Sequence, residues 1–284
     1  MPVAIVTDST ASLPAEVAAE RGIVVVPLQV VLGATVYDEG ADGATPEMVA
    51  AALREWKPVS TSRPSPAALL EVYEKAAADG ATEILSVHLS GEMSGTFESA
   101  QLAARDASVR VVTVDSRQVG VGTGFATLAG ADVVAAGGTV DDAAAAARAR
   151  GEATSSLFYV DTLEYLRRGG RIGAAAALLG GALAVKPLLQ IEDGRVASLE
   201  RVRTSARALA RLEELAVQAA GDLPVDLGVA HLANPERAEL LADALRRRLE
   251  ANLEDREVWC GELGAVLGAH VGPGMIAVCV SPRA

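Results

Sequence analysis

The sequence predicts an α/β fold in two domains, the first with a mainly parallel, helix-covered sheet and the second with a mixed sheet. Three observations carry that prediction. Short Val- and Ile-rich runs alternate with helical patterns through the first half, as parallel strands joined by helices do. The pattern changes after about Gly151, where Asp193-Gly194 between two apolar runs signals a hairpin and antiparallel neighbours. The chain has 284 residues, 50% of them hydrophobic, which suffices for two medium domains. The boundary falls near residue 155, giving domains 1–155 and 156–284.

In order, Val3 to Thr7 reads as a buried strand, followed by a short helix from Pro14 with Ser12 as its N-cap. Ile23 to Leu32 reads as one Val-rich strand, and Thr45-Pro46 starts a helix to about Glu55. Val59 to Arg63 is extended, because Pro64 and Pro66 disfavour helix before them. Ser65-Pro66 caps and starts a helix to about Ala78. Glu83 to Leu89 and Val109 to Val114 are strands, each followed by a helix. In the second half, Ser156 to Val160 is a strand, Thr162 to Arg168 a short helix and Ala174 to Leu183 an apolar helix. The hairpin spans Pro187 to Arg201. Helices from Ser205 to about Ala220 and from Asn234-Pro235 to about Asn252 flank a strand at Val225 to His231. Glu257 to Leu263 and Met275 to Val280 are the last strands.

Composition narrows the function. Aromatic residues are 3% of the chain, leaving little to stack on nucleobases. A net charge of -12 argues against nucleic acid and anionic membrane surfaces as partners. Cys260 and Cys279 form no disulfide framework and lack metal-ligand spacing, which reads as a reduced, cytoplasmic setting. The N-terminus has no basic region ahead of its short apolar run, so no signal peptide is expected, and no apolar stretch is long enough to span a membrane. No cofactor is expected: there is no P-loop, and Gly120-Val-Gly122-Thr-Gly124 misses the dinucleotide spacing.

The chemistry-bearing residues cluster at element ends. Ser90 to Phe97 runs from a strand into a helix and presents small hydroxyls with free N–H groups, a cradle for an anion. Thr7-Asp8-Ser9-Thr10 ends the first strand, where parallel sheets bind ligands; the same residues also build ordinary turns. Ser60-Thr61-Ser62 and Ser94-Gly95-Thr96 each precede a helix start, as plain caps or as two halves of one anion site. His270 stands in Gly268 to Gly274, where the glycines predict a loop and a functional imidazole. His88 and His231 end apolar strands and read as structural. Arg167-Arg168-Gly169-Gly170-Arg171 is a basic patch in an acidic chain, either solvated or a docking surface.

Val6-Thr-Asp-Ser9, Thr61-Ser-Arg-Pro-Ser65, Leu89-Ser-Gly-Glu-Met-Ser-Gly-Thr96, Val114-Asp-Ser116, Leu166-Arg-Arg-Gly-Gly-Arg-Ile172, Lys186-Pro187 and His270-Val-Gly-Pro-Gly274 occur in an order that resembles the DegV family. That family includes the fatty-acid-carrying subunit of bacterial fatty acid kinase. The resemblance implies two α/β domains with a long-chain fatty acid between them. It implies a carboxylate bound by the hydroxyls of Thr61 and Ser94 and the imidazole of His270, helped by N–H groups of Ser62 and Gly95. It further implies that a separate ATP-using kinase subunit phosphorylates that carboxylate, with Arg171 and Arg203 facing the kinase or the acyl phosphate. Neutral donors suit a carboxylate that must later be released, whereas an Arg clamp would hold it more tightly. The tail would lie among Ala, Leu, Val and Ile, with Ala174 to Leu183 and Ile23 to Val31 as candidate linings. The alternative is a serine hydrolase or acyltransferase with Ser94 as nucleophile and His270 as base, although Gly91 to Gly95 misses the nucleophile-elbow spacing and no Asp is evident for the histidine.

Overall fold

The structure, a computed structural model, describes residues 2–40, 43–178 and 186–283. Its first half contains β1 (Val3–Asp8), α1 (Ala15–Glu20), β2 (Ile23–Val26), β3 (Gln29–Leu32), β4 (Thr35–Asp38), α2 (Pro46–Arg54), β5 (Val59–Ser62), α3 (Pro66–Ala78), β6 (Glu83–His88), α4 (Thr96–Asp106), β7 (Arg110–Asp115), α5 (Val121–Ala135) and α6 (Val140–Ala153). The second half contains β8 (Ser155–Tyr159), α7 (Glu164–Arg168), β9 (Lys186–Glu192), β10 (Arg195–Val202), α8 (Ser205–Ala220), β11 (Val225–His231), α9 (Pro235–Arg248), α10 (Glu250–Leu253), β12 (Trp259–Glu262), α11 (Ala265–Val271) and β13 (Ile276–Pro282).

The first sheet is fully parallel in the order β2-β1-β6-β7. Its central strands, β1 and β6, are covered on both faces. Val6 and Ile84 pack against Leu69, Tyr73 and Ala100 of α3 and α4. Ile5, Leu85 and Val87 pack against Ala126, Ala143 and Ala147 of α5 and α6. The second sheet is mixed, in the order β10-β9-β8-β13-β11-β12, with only β11 and β12 parallel. The expected Asp193-Gly194 hairpin joins β9 and β10, and both turn residues have positive φ, 50° and 77°.

Three expectations need correction. The run Ile23 to Leu32 is two strands, because Pro27 has no N–H to give to a ladder. β2 stays in the parallel sheet, while β3 enters a separate antiparallel sheet, β4-β3-β5, that the sequence reading missed. His270 is not on a loop. It lies in the last turn of α11, whose Ala265, Val266 and Ala269 are buried against Leu28, Val30 and Leu53. That burial outweighs the roughly 1 kcal/mol cost of Gly268 in a helix. The chain leaves the helix only at Gly272, whose φ of 75° suits a residue without a side chain. Of the expected helix Ala174 to Leu183, residues up to 178 belong to a 3-10 turn, Gly173–Leu178, and 179–183 lie outside the described residues.

A buried polar chain fixes the carboxyl ends of β1 and β6. Asp8, His88 and Ser86 are fully buried. His88 Nδ1 donates to Asp8 Oδ2 at 2.9 Å, and Ser86 Oγ lies 2.8 Å from both His88 Nε2 and the Tyr73 hydroxyl. Asp8 also accepts from the N–H of Leu89 at 3.1 Å and of Thr10 at 3.1 Å. Each buried donor left without a partner costs about 1–3 kcal/mol. Asp8→Ala is therefore expected to lower stability by about 3 kcal/mol or more in urea unfolding; a loss under 1 kcal/mol would show the chain to be dispensable.

Candidate ligand-binding site

The mixed sheet has two unlike faces. On one, Leu157, Tyr159, Leu227, Val229, Ile276 and Val278 pack tightly against α8 and α9. On the other, the same three strands carry Ser156 and Phe158, Gly228 and Ala230, Ala277 and Cys279. Strand alternation puts these residues, small except for Phe158, side by side on the face turned toward the first half. The volume they lack appears as a cavity between that face and Leu89, Met93, Val121, Leu263 and Leu267. Its surface is overwhelmingly apolar. Cys279 keeps its thiol proton, since burial pushes its pKa up to about 12.

Polar groups gather at one end. Thr61 from β5, Ser94 from the turn before α4, Arg171 from the segment after α7 and His270 from α11 all line this cavity. Arg171 also lines the two surface grooves beside it, so it stands at the opening. Thr61 Oγ1 and His270 Nε2 are 2.9 Å apart. Ser94 Oγ lies 2.9 Å from Thr96 Oγ1 and accepts the Thr96 N–H at 3.3 Å. Arg171 donates through Nε to the Met93 carbonyl at 3.0 Å and through Nη1 to the Gly169 carbonyl at 2.6 Å. A side chain at Gly169 would run into the His270 ring, so the close approach of these two segments requires glycine there.

His270 is the electrostatic centre of the mouth. Burial, and secondarily the Arg171 charge, push its pKa down to about 4. The imidazole is therefore neutral near pH 7, and its Nδ1 is buried with no hydrogen-bond partner among the described residues. α11 is held in place at its other end by Glu39, which follows β4. Glu39 Oε1 accepts the Val266 N–H at 2.8 Å, and burial raises the pKa of this carboxyl.

Not every expected residue reaches the cavity. Ser62 is exposed on β5, with its hydroxyl bonded to the Arg63 carbonyl, and does not line it. Gly95 caps α4 and lines only the outer groove beside Arg171. Arg203 is exposed between β10 and α8 and lies outside the cavity lining. Of Ile23 to Val31, only Leu28 contributes a wall. The walls Leu89, Met93, Val121 and Leu263 were missed, as was the small-residue floor. Its signal was the alternation Gly228-x-Ala230 and Ala277-x-Cys279 in otherwise bulky strands. Ser94 and His270 are not bonded to each other; their partners are Thr96 and Thr61, and no carboxylate stands at His270 Nδ1. Among the described residues no cluster of three or more His, Cys, Asp or Glu could hold a metal, and no helix is long and apolar enough to cross a membrane.

Two sheets closing on an apolar cavity, with uncharged polar groups and Arg171 at its mouth, form a site of the shape and chemistry that suits a small apolar ligand. Comparison with known proteins identifies the class of protein. The family model described as "Uncharacterised protein, DegV family" matches residues 2–283. A DegV domain-containing protein of Streptomyces coelicolor is 54% identical over 281 residues, covering 99% of each chain. A DegV family protein from Thermus thermophilus, described for its fatty acid binding, superposes with a TM-score of 0.90 at 32% identity over 100% of both chains. DegV of Bacillus subtilis, described as a fatty acid binding protein, gives 0.90 at 30% identity, again over 100% of both. The chain belongs to the DegV family.

Because the folded-state pKa of His270 lies below the ordinary value of 6.5, folding favours the neutral ring. Its contribution is fully present above about pH 6.5 and is lost as pH falls toward 4. The imidazole resonances should titrate with a midpoint near 4. Between pH 7.5 and 4.5, wild-type protein should lose about 2–3 kcal/mol more stability than His270→Asn. A midpoint near 6.5 would place the ring in water.

Proposed function

We propose that this protein binds a long-chain fatty acid, with the tail in the apolar cavity and the carboxylate at the mouth against Thr61, Ser94 and His270. The observation that carries this reading is the pairing of an apolar cavity with a mouth lined by His270, whose ring is kept neutral by burial and whose buried Nδ1 has no partner among the described residues. A neutral imidazole carries one N–H and one lone pair. With Thr61 donating its hydroxyl proton to Nε2, Nδ1–H is left to donate to a carboxylate oxygen. The Ser94 hydroxyl supplies another donor. The backbone N–H groups of Ser62 and Gly95 belong to the same reading, as outer contributors. A C16 chain would bury roughly fifteen methylenes at about 0.8 kcal/mol each, a gross 12 kcal/mol before ordering costs.

In this reading the protein is a carrier and not an enzyme on its own. It has domains 1–155 and 156–284, works in the cytoplasm without a cofactor and presents the carboxylate to a separate ATP-dependent kinase subunit that makes the acyl phosphate. Arg171 supports the partnership by standing where the cavity meets two surface grooves. Arg203 is the second proposed contact to the kinase or acyl phosphate. The hydrolase alternative is disfavoured by the separate hydrogen-bond partners of Ser94 and His270.

Native mass spectrometry should find a co-purifying fatty acid, and delipidated protein should take up palmitate or oleate. Protein that is empty and stays empty ends the reading. Ser94→Ala and His270→Ala should each weaken palmitate binding by about 1–3 kcal/mol, measured by calorimetry. Unchanged affinity in both variants would remove those side chains from the site.

A further inference from the structure

Ser90 is fully buried where β6 runs into the turn that carries Ser94. Every polar atom of this residue is engaged. Its N–H donates to the Gln118 carbonyl at 2.8 Å, and its carbonyl accepts the N–H groups of Met93 and Ser94, both at 3.1 Å. Its hydroxyl accepts the Glu92 N–H at 3.2 Å and donates to the Gly194 carbonyl at 2.7 Å. Gly194 is the tip of the β9–β10 hairpin, 104 residues away in sequence. The hairpin puts Ile191 and Val196 into the cavity wall. The tip has no side chain where the hydroxyl enters, and a Cβ there would overlap Ser90 Oγ. Two exposed ion pairs flank the contact: Arg195 Nε to Glu92 at 2.7 Å, and Arg117 to Asp193 at 3.0 Å. Pairs so exposed contribute little individually. The buried hydroxyl is therefore the element that joins the Ser94 turn to the hairpin wall.

We propose that Ser90 is a positioning residue for carboxylate recognition: by clasping the Gly194 carbonyl it fixes where Ser94 stands relative to the cavity, without touching the ligand. This rests on the fatty-acid reading above. The clasp acts chiefly on the head group, because Ile191 and Val196 are held by their own pairing in the β9–β10 ladder while the Ser94 turn supplies the donor. Loss of the clasp therefore lowers affinity for an acid more than for its uncharged ester, whose carbonyl is the weaker acceptor.

The clasp can be broken and covalently rebuilt in one protein. Ideal Cβ positions put residue 194 at 3.5 Å from Ser90 Cβ, at the short end of the disulfide range of about 3.5–4.5 Å. In a Cys260→Ala background, Ser90→Ala and the pair Ser90→Cys/Gly194→Cys are compared for binding of palmitate and of methyl palmitate. Amide exchange of residues 91–95 is followed without ligand. In Ser90→Ala and in the reduced pair, palmitate affinity should fall about fivefold, the equivalent of one net hydrogen bond, with a smaller loss for the ester and faster exchange of 91–95. Oxidation of the pair should restore both. Unchanged palmitate affinity in Ser90→Ala overturns the proposal, as does a parallel loss of acid and ester. Should Cys at position 194, with its positive φ, prevent folding, Ser90→Ala alone decides. Wild-type protein that binds neither palmitate nor ester refutes the fatty-acid reading instead. Exchange of 91–95 then judges the clasp, and equal rates in wild type and Ser90→Ala overturn it.

Discussion

Side-chain size on one face of the mixed sheet governs the rest of the molecule. Protein interiors pack to the density of organic crystals, so a sheet that is bulky on both faces would leave no room inside. Here β8, β11 and β13 put most of their large residues against α8 and α9, and leave Ser, Gly, Ala and Cys beside Phe158 on the face that looks toward the first half. Neither α5 nor the residues around Leu263 and Leu267 fill that deficit. The result is an apolar space whose walls come from both halves of the chain, in a protein with few aromatic side chains to plug it.

An interior space of this kind needs a polar end if it is to discriminate among hydrophobic molecules. The mouth supplies one without a buried net charge. Thr61, Ser94 and a histidine kept neutral by burial stand together, and Arg171, a cation of the lining, is tied to the backbone carbonyls of Met93 and Gly169. These groups come from four separate stretches of sequence. Glu39 holds the N-terminal end of α11, Thr61 meets its C-terminal end, and Gly169 allows the ring to sit against the neighbouring segment. The site is thus a tertiary construction, with no single loop carrying it.

That origin explains what was legible beforehand. The parallel strands were readable because their apolar runs alternate with helices that have local start signals, such as Ser65 before Pro66. The Asp193-Gly194 hairpin was readable because its turn chemistry is local. The small sheet and α11 were not, since both depend on burial against each other. Gly268 looks like a loop residue until Leu232 is seen packed against it, and the break at Pro27 becomes decisive only once β2 and β3 join different sheets. Thr61, Ser94, Arg171 and His270 stood out as local signals, were given one shared role only by the family resemblance, and line one cavity. Ser62 and Gly95, neighbours in the same clusters, and Arg203, drawn from the resemblance alone, are not in the cavity lining, because sequence adjacency does not say which side of a strand or turn faces inward.

The shared core of α2, β3 and α11 also bears on how the protein is made. Leu28, Val30, Val49 and Leu53 are covered by Ala265, Val266 and Ala269, which leave the ribosome roughly 200 residues later. At about 5–20 residues per second, the nascent chain carries this uncovered greasy patch for on the order of 10–40 s. The interval is a natural opening for a holding chaperone, and a ribosome that stalls before Gly264 releases a product with an intact parallel sheet but no lid on its own core.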